Sequence, residues 1–385
     1  MARCRRLILT VAITAAACAA VASPGAAASV GTVAWIDGAR VLAPGAPPSW
    51  SGAIARYPDS PLQAIDPYWA GYAAMGLARA GDPSAAWRWA SWYEAHMDAD
   101  GIVPNVLLSA VGTSPVSFLE TPVSPPSYDS ADAYAALYVL ALREAYRADP
   151  SRTRLGDHRS GLERALGLLR RLQDPSDGLV WNLPASAERP GDARPRVKLL
   201  MDQAEDYAAL RAGAELAAAL GRAKLRGQAR AAAAALRTGL DGLWLPSAGA
   251  YAWAKHEGGL LVAPVWSRWY PDAVAQPFAV ALGNWLRPAD PLVGEPRAAA
   301  LVERFAATWP EWPLPGFAPS GERSAGTGSG TLEYQPLLGA AFAAVGRAPE
   351  GVAGTAAIDA AAAASGRPWP FSVGHAGQAL LVLGA

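Results

Sequence analysis

The sequence predicts an all-α protein folded as an (α/α)6 toroid with short β-hairpins in its loops, and three observations carry that expectation. First, "DSADAYAAL" (Asp129 to Leu137) returns as "DQAEDYAAL" (Asp202 to Leu210), a D-x-A-[DE]-x-Y-A-A-L pattern written twice about seventy residues apart. Second, Ala-rich segments open in a similar way at Asp66, Asp272, Glu333 and His375, giving six starts spaced roughly 40 to 75 residues apart, a repeat of helical units. Third, the segments between them carry one charged stripe each, as helices facing water do, whereas the repeated segments are apolar nearly all round, as buried helices are.

Taken in order, the chain opens with a basic "MARCRR", an apolar "LILTVAITAAACAAVA" and a small-residue "GAAAS", the layout of a secretory leader cleaved after Ala28, with Ala22 as a second possible site. The expected organisation is therefore a signal peptide over 1–28 and a single toroid over 29–385. The apolar run is short for a membrane span and is followed by Ser23, Pro24 and Gly25. Both cysteines, Cys4 and Cys18, fall inside the leader, so an exported chain would rest on core burial with no disulfide. Lipidation at Cys18 is the weaker alternative, because "TAAAC" lacks a Leu three residues earlier. Removing the leader leaves 30 basic residues against 33 acidic ones, a near-neutral balance without a basic tract, which argues against nucleic acid as a partner.

The inner helices are expected at "IDPYWAGYAAMGLA", the two D-x-A-[DE] segments, "YPDAVAQPFAVALG", "GTLEYQPLLGAAFAAVG" and "VGHAGQALLVLG". The outer helices are expected at "PSAAWRWASWYEAHM", "HRSGLERALGLLRRLQ", "GRAKLRGQARAAAAALRTGL" and "EPRAAALVERFAATW". Trp87, Trp89 and Trp92 on the first of these read as packing. Three turn segments, "DADGIVPN", "DPSDGLVWN" and "LPSAGAYAW", follow outer helices and suggest small hairpins. Closure into a ring is favoured over an open solenoid, which needs polar caps at both ends, because the last segment is apolar to its end.

Parallel inner helices would bring Asp66, Asp129, Asp132, Asp202, Glu205, Asp272 and Glu333 to one face of the ring. The spacing of three in D-x-A-[DE] sets both carboxylates on one side of the first turn. Helix capping and the macrodipole account for one acid per helix, yet "DQAED" carries three. Cleavage of a glycosidic bond needs two carboxyls in different environments, one holding a proton and one ionised, about 6.5–9.5 Å apart in an inverting pair. Crowded carboxylates at helix N-termini supply both. Aromatic faces with polar tips suit sugar rings, and Tyr68, Trp69, Tyr128, Trp181, Trp253, Trp269, Tyr270 and Tyr334 sit in loops or at inner-helix starts, with Tyr134 and Tyr207 just inside.

The leader, the helix starts "YDSADAYAALY", "MDQAEDYAAL" and "WYPDAVAQPF", and the order of outer helix then "DG" turn together resemble the six-hairpin glycosidase superfamily across essentially the whole mature chain. The resemblance implies a cleft at the inner-helix N-termini, Asp or Glu as general acid and base, and inversion at the anomeric carbon. On that reading Glu205 is the acid, flanked by Asp202 and Asp206, and Asp132 or Asp129 is the base, with Asp272 and Glu333 in reserve.

Other signals point away from metals and cofactors. His96, His158, His256 and His375 are isolated and have no cysteine partner, so no metal site is expected, although His375 and His256 are candidates for the cleft wall. "DADG" lacks the later acids of a calcium loop, and "GERSAGTGSGTLEY" has no GK[ST] and reads as a loop over the cleft. The expected protein is thus a secreted or periplasmic monomer that hydrolyses a poly- or oligosaccharide without a cofactor. Two rivals stand beside it: a polysaccharide lyase using Tyr207 or His256 with Arg268, and a non-catalytic glycan-binding or polysaccharide-export protein on the same toroid.

Overall fold

The ring is built from helix pairs whose boundaries follow local chemistry. Asp66 accepts the Tyr68 N–H at 3.1 Å ahead of Pro67, and Asp82 accepts the Ala85 N–H at 3.1 Å ahead of Pro83, so two helices start where an acid followed by proline satisfies the first orphan donors. In the computed structural model, residues 24–40, 51–58, 63–110, 118–122, 128, 130–189, 192–285, 289–313, 335–367 and 371–384 are described.

Thirteen helices are described. The inner ones are α2 (Pro67–Arg79), α4 (Ala131–Ala148), α7 (Leu200–Ala219), α9 (Val274–Val280), α11 (Leu338–Ala344) and α13 (Val373–Leu383). The outer ones are α1 (Pro24–Gly38), α3 (Pro83–His96), α6 (Arg159–Leu172) preceded by the short α5 (Arg152–Asp157), α8 (Ala223–Asp241), α10 (Glu295–Thr308) and α12 (Ala348–Ala364). All six expected inner segments supply an inner helix, and the order of inner and outer elements is that of an (α/α)6 toroid. Around the ring α13 packs on α2, α2 on α4, α4 on α7, α7 on α9 and α9 on α11. Wider π-type turns at Trp269–Ala273 and Ala281–Trp285 flank α9, which carries Pro277.

The ring is closed by its first helix. Helix α1 lies against α12 and α13, and Thr32 Oγ1 donates to Asp359 Oδ2 at 2.6 Å across 327 positions of sequence. Arg367 donates to the same threonine at 2.8 Å and lies over the Trp35 ring. At the α2–α13 seam two glycines let the backbones meet. A Cβ on Gly76 would stand 2.5 Å from the Gly377 carbonyl oxygen, and one on Gly377 would stand 2.2 Å from that of Tyr72.

The inner helices are buried almost all round, and Trp87, Trp89 and Trp92 of α3 pack into the core as expected. Among the described residues no helix is long and apolar enough to cross a membrane. The loops carry three small sheets. One joins β1 (Gln63–Ile65), β2 (Val106–Ala110) and β3 (Phe118–Pro122); another joins β4 (Val197–Leu199), β7 (Ala254–His256) and β8 (Leu261–Val262); β5 (Trp244–Leu245) and β6 (Ala250–Tyr251) form a two-stranded ribbon. Of the three expected hairpins, only "LPSAGAYAW" forms one, with Leu245 opposite Ala250. "DPSDGLVWN" closes on a single bridge between Gln173 and Val180. In "DADGIVPN" Asp98 Oδ1 takes the N–H groups of Asp100 and Ile102, and that side-chain turn satisfies the backbone without a ladder.

Candidate active site

The N-terminal ends of the inner helices converge on one cavity of about 380 Å³. Every inner helix or its lead-in contributes to it: Tyr68 and Trp69 from α2, Ser130 and Tyr134 from the start of α4, Asp202 from α7, Ala275 from α9, Gln335 ahead of α11, and Gln378 from α13. Arg56, Trp253 and Tyr270 complete the wall from the loops. The geometry that the repeat predicts, with helix starts brought to one face, is therefore present.

Capping explains only part of the acidic pattern. Asp66 caps α2, but Ser130, at the N-cap of α4, makes no cap bond and donates its Oγ proton to Asp202 Oδ2 at 2.8 Å instead. The N-cap of α7 is Leu199, so neither Asp202 nor Glu205 caps that helix. Asp202 sits in the first turn with its carboxyl at the cavity surface. One turn on, at i+3 and i+4, Glu205 and Asp206 point under the floor and are fully buried.

This buried layer holds protons. Tyr72 donates to Glu205 Oε1 at 2.6 Å, while Glu205 Oε2 has no partner. Burial first, and then the neighbouring Asp202 carboxylate, push the Glu205 carboxyl well above the usual range. Across the α4–α7 contact lie Asp132 and Asp206, both with zero exposure. Asp132 Oδ1 takes the Ala133 N–H at 2.8 Å, no N–H donor reaches its Oδ2 or either oxygen of Asp206, and the two carboxyls hydrogen-bond to each other through a retained proton. Both carboxyls are likewise pushed well up, by burial first and then by neighbouring carboxylates: Asp206 and Asp202 act on Asp132, and Asp202 acts on Asp206. The phenols of Tyr68 and Tyr72 are raised by burial and by Glu205, so both stay protonated and serve as donors.

The other expected residues fall into three groups. Tyr68, Trp69, Tyr134, Trp253 and Tyr270 line the cavity beside Asp202; Tyr134 reaches Asn105 Oδ1 at 3.0 Å, and Tyr68 meets Trp69 edge-on at 5.1 Å. A second group is placed elsewhere by its contacts. Asp272 is buried and takes the Val265 N–H at 2.7 Å; Tyr207 points outward to the Asp290 carbonyl at 3.1 Å; Trp269 packs on Phe305 and Trp309 of the α10 side. Trp181 lies beneath the cations of Arg196 and Lys198, and Tyr128 beneath that of Arg194. His375 is buried in the capping box of α13 and is tilted against Trp69, 4.6 Å between centroids; burial and then the Arg56 charge hold its pKa down to about 3, so it is a neutral prop. Neither His256 nor Arg268 lines the cavity. Third, Asp129, Glu333, Tyr334 and the loop "GERSAGTGSGTLEY" lie outside the described residues.

Sequence reasoning missed Arg56, Ser130, Gln335 and Gln378 in the wall and Tyr72 beneath it. Tyr72 follows Tyr68 at i+4 and Gln378 follows His375 at i+3, spacings that share a helix face, but no motif singles them out. Among the described residues no group of three or more His, Cys, Asp or Glu side chains is arranged to hold a metal ion.

The ring of helix pairs, with its acid-bearing, aromatic-walled cavity at the inner-helix starts, is an (α/α)6 toroid, and solved structures share it. The chain is similar to GH63 mannosylglycerate hydrolase from Thermus thermophilus, solved with Tris and D-glycerate, at 17% identity and TM-score 0.60, over 93% of this chain and 99% of that one. It is as similar to an uncharacterized conserved protein from the same organism, at 16% identity and TM-score 0.60 over 94% and 99% of the two chains. A structure described as a glycosidase matches at 14% identity and TM-score 0.56 over 93% and 96%. At these identities the likeness establishes the fold. No protein-family model and no curated protein sequence matches the chain.

Proposed function

We propose that the protein is a secreted glycoside hydrolase that cleaves a poly- or oligosaccharide by carboxylate acid/base chemistry with inversion. One observation carries the reading: Asp202 is presented at the surface of an aromatic-walled cavity at the inner-helix N-termini, with one oxygen fixed by Ser130. In this reading Asp202 handles the proton at the leaving oxygen, and a second carboxylate from Asp66, Asp129 or Glu333 activates water on the opposite face of the sugar. Asp132 and Glu205 serve from beneath. Buried and held toward their protonated forms, they tune Asp202 without touching substrate. The names of the structural relatives, hydrolases of sugar-containing substrates among them, support the reading by analogy of fold. Export follows from the leader-like N-terminus. Cleavage after Ala22 would keep α1 whole, whereas cleavage after Ala28 would remove its first residues while sparing Thr32.

The test is reducing-end release from a panel of plant and bacterial polysaccharides and oligosaccharides, with the anomer of the first product read by NMR. Asp202→Asn is expected to lower release by roughly 10²- to 10⁴-fold while circular dichroism stays unchanged. Release that is indifferent to Asp202→Asn removes this assignment. Binding without cleavage by the wild type would make the toroid a glycan-binding module.

A further inference from the structure

The wall opposite Asp202 holds unmet hydrogen-bonding capacity of both signs. Gln378, on α13, is 1% exposed and lines the cavity, yet its side chain makes no hydrogen bond with any described residue, and its Oε1 is buried without a partner. A buried amide in that state is unfavourable unless something fills it. Arg56 lines the same cavity. Its Nε has no partner, and its nearest anion, Asp66 Oδ2, stands at 3.6 Å, beyond a hydrogen bond. The guanidinium lies 5.3 Å from the centre of the Trp69 ring, and His375, one turn before Gln378, is tilted against that ring with 4.6 Å between centroids. These contacts fix the indole, which lines the cavity with one acceptor and one donor beside it.

We propose that Arg56, Trp69 and Gln378 form a subsite for an uncharged, hydroxylated sugar ring. The sugar lies beside Trp69 where it lines the cavity, Gln378 Oε1 accepts a hydroxyl proton, and Arg56 donates to a neighbouring oxygen. A hydroxyl group can do both at once, whereas a carboxylate only accepts. A sugar acid would gain Arg56 but bring its negative charge toward the carboxyls of Asp66 and Asp202 and have no carboxylate proton to give Gln378 Oε1, so the cavity selects neutral sugars over their uronic acids. The inference rests on the cavity being the carbohydrate site and names the class of sugar it takes.

Titration calorimetry and tryptophan fluorescence with three matched pairs, glucose and glucuronate, mannose and mannuronate, galactose and galacturonate, test it. At least one neutral sugar is expected to bind more tightly than its acid, and Gln378→Leu and Arg56→Met are each expected to weaken that binding about tenfold with circular dichroism unchanged. A preferred uronate, no binding by any of the six, or neutral-sugar affinity unmoved by both substitutions overturns the inference. The outcomes separate it from the hydrolase reading. Neutral sugars held through Arg56 and Gln378 by a protein that cuts nothing would keep this inference and remove that one; cleavage that favours uronides would do the reverse.

Discussion

Replacing Asp206 by Asn is expected to flatten the pH dependence of stability, and the reasoning can be carried through in numbers. Asp206 and Asp132 face each other with zero exposure, no N–H donor reaches Asp206, and both carboxyls are displaced upward by burial and by neighbouring carboxylates. An ordinary carboxyl titrates near 3.9, so as pH rises above about 4 the unfolded chain releases protons that the folded chain holds more tightly. For a raised carboxyl the stabilising contribution is complete below the unfolded pKa and is lost as pH rises through the folded one. Between those two values each such proton removes at most about 1.4 kcal/mol of stability per pH unit. The pair titrates as a unit, and Asp206→Asn takes one such proton out of it while offering Asp132 Oδ2 an amide donor. As pH rises above about 4 the variant should lose stability less steeply than the wild type, by at most about 1.4 kcal/mol per unit, so that its relative stability improves with pH. Urea unfolding followed by tryptophan fluorescence at several pH values measures this, provided the m-value is unchanged. Parallel pH curves for the two proteins would refute the claim that Asp206 holds its proton more tightly when folded.

Two further predictions concern the same layer and the seam beside it. Tyr72→Phe removes the donor to Glu205 Oε1 beside an Oε2 that already has no partner, so the urea midpoint should fall by the equivalent of about 1–3 kcal/mol; an unchanged midpoint would mean that Tyr72 and Glu205 do not meet. Gly377→Ala places a methyl 2.2 Å from the Tyr72 carbonyl oxygen, where backbone and not a yielding side chain stands in the way. Loss of at least ~1–3 kcal/mol by thermal or urea unfolding is expected, and a neutral result would show that α2 and α13 do not cross so closely.

The architecture was legible because it is written in periodicity. The acid followed by proline that starts α2, the recurrence of D-x-A-[DE] at α4 and α7, and the charged stripes of α3, α6, α8 and α10 each reflect local chemistry that survives into the folded chain. The site was less legible because it depends on how each helix is rotated. Asp202, Glu205 and Asp206 share one helical turn, and only the packing of α7 between α4 and α9 decides that Asp202 faces the cavity while the other two face the floor. Tyr207 shows the same limit: it occupies the repeat position of Tyr134, yet it points out to Asp290 while Tyr134 points in. Arg56 and Gln378 carry no motif at all, and only the approach of a loop and α13 to Trp69 brings them to one wall.

Energetics decides between the two explanations of the acidic pattern. An acid that caps a helix adds stability, typically about 1 kcal/mol, and Asp66 behaves that way. Asp132, Glu205 and Asp206 do not: each is buried, poorly bonded and pushed toward its protonated form. As pH rises past the ordinary carboxyl range, protons held more tightly by the folded chain cost it stability, each by at most about 1.4 kcal/mol per pH unit. Apolar residues of similar volume would pack these positions without that cost. A chain that keeps three such groups beneath the carboxyl lining the cavity at its inner-helix starts is giving up stability at one place, and perturbed titratable groups gathered at a cavity mark a site where protons are handled. By that reasoning Asp132, Glu205 and Asp206 belong to Asp202 and the chemistry of the cavity, whereas the capping bond of Asp66 and the backbone bond of Asp272 belong to the fold.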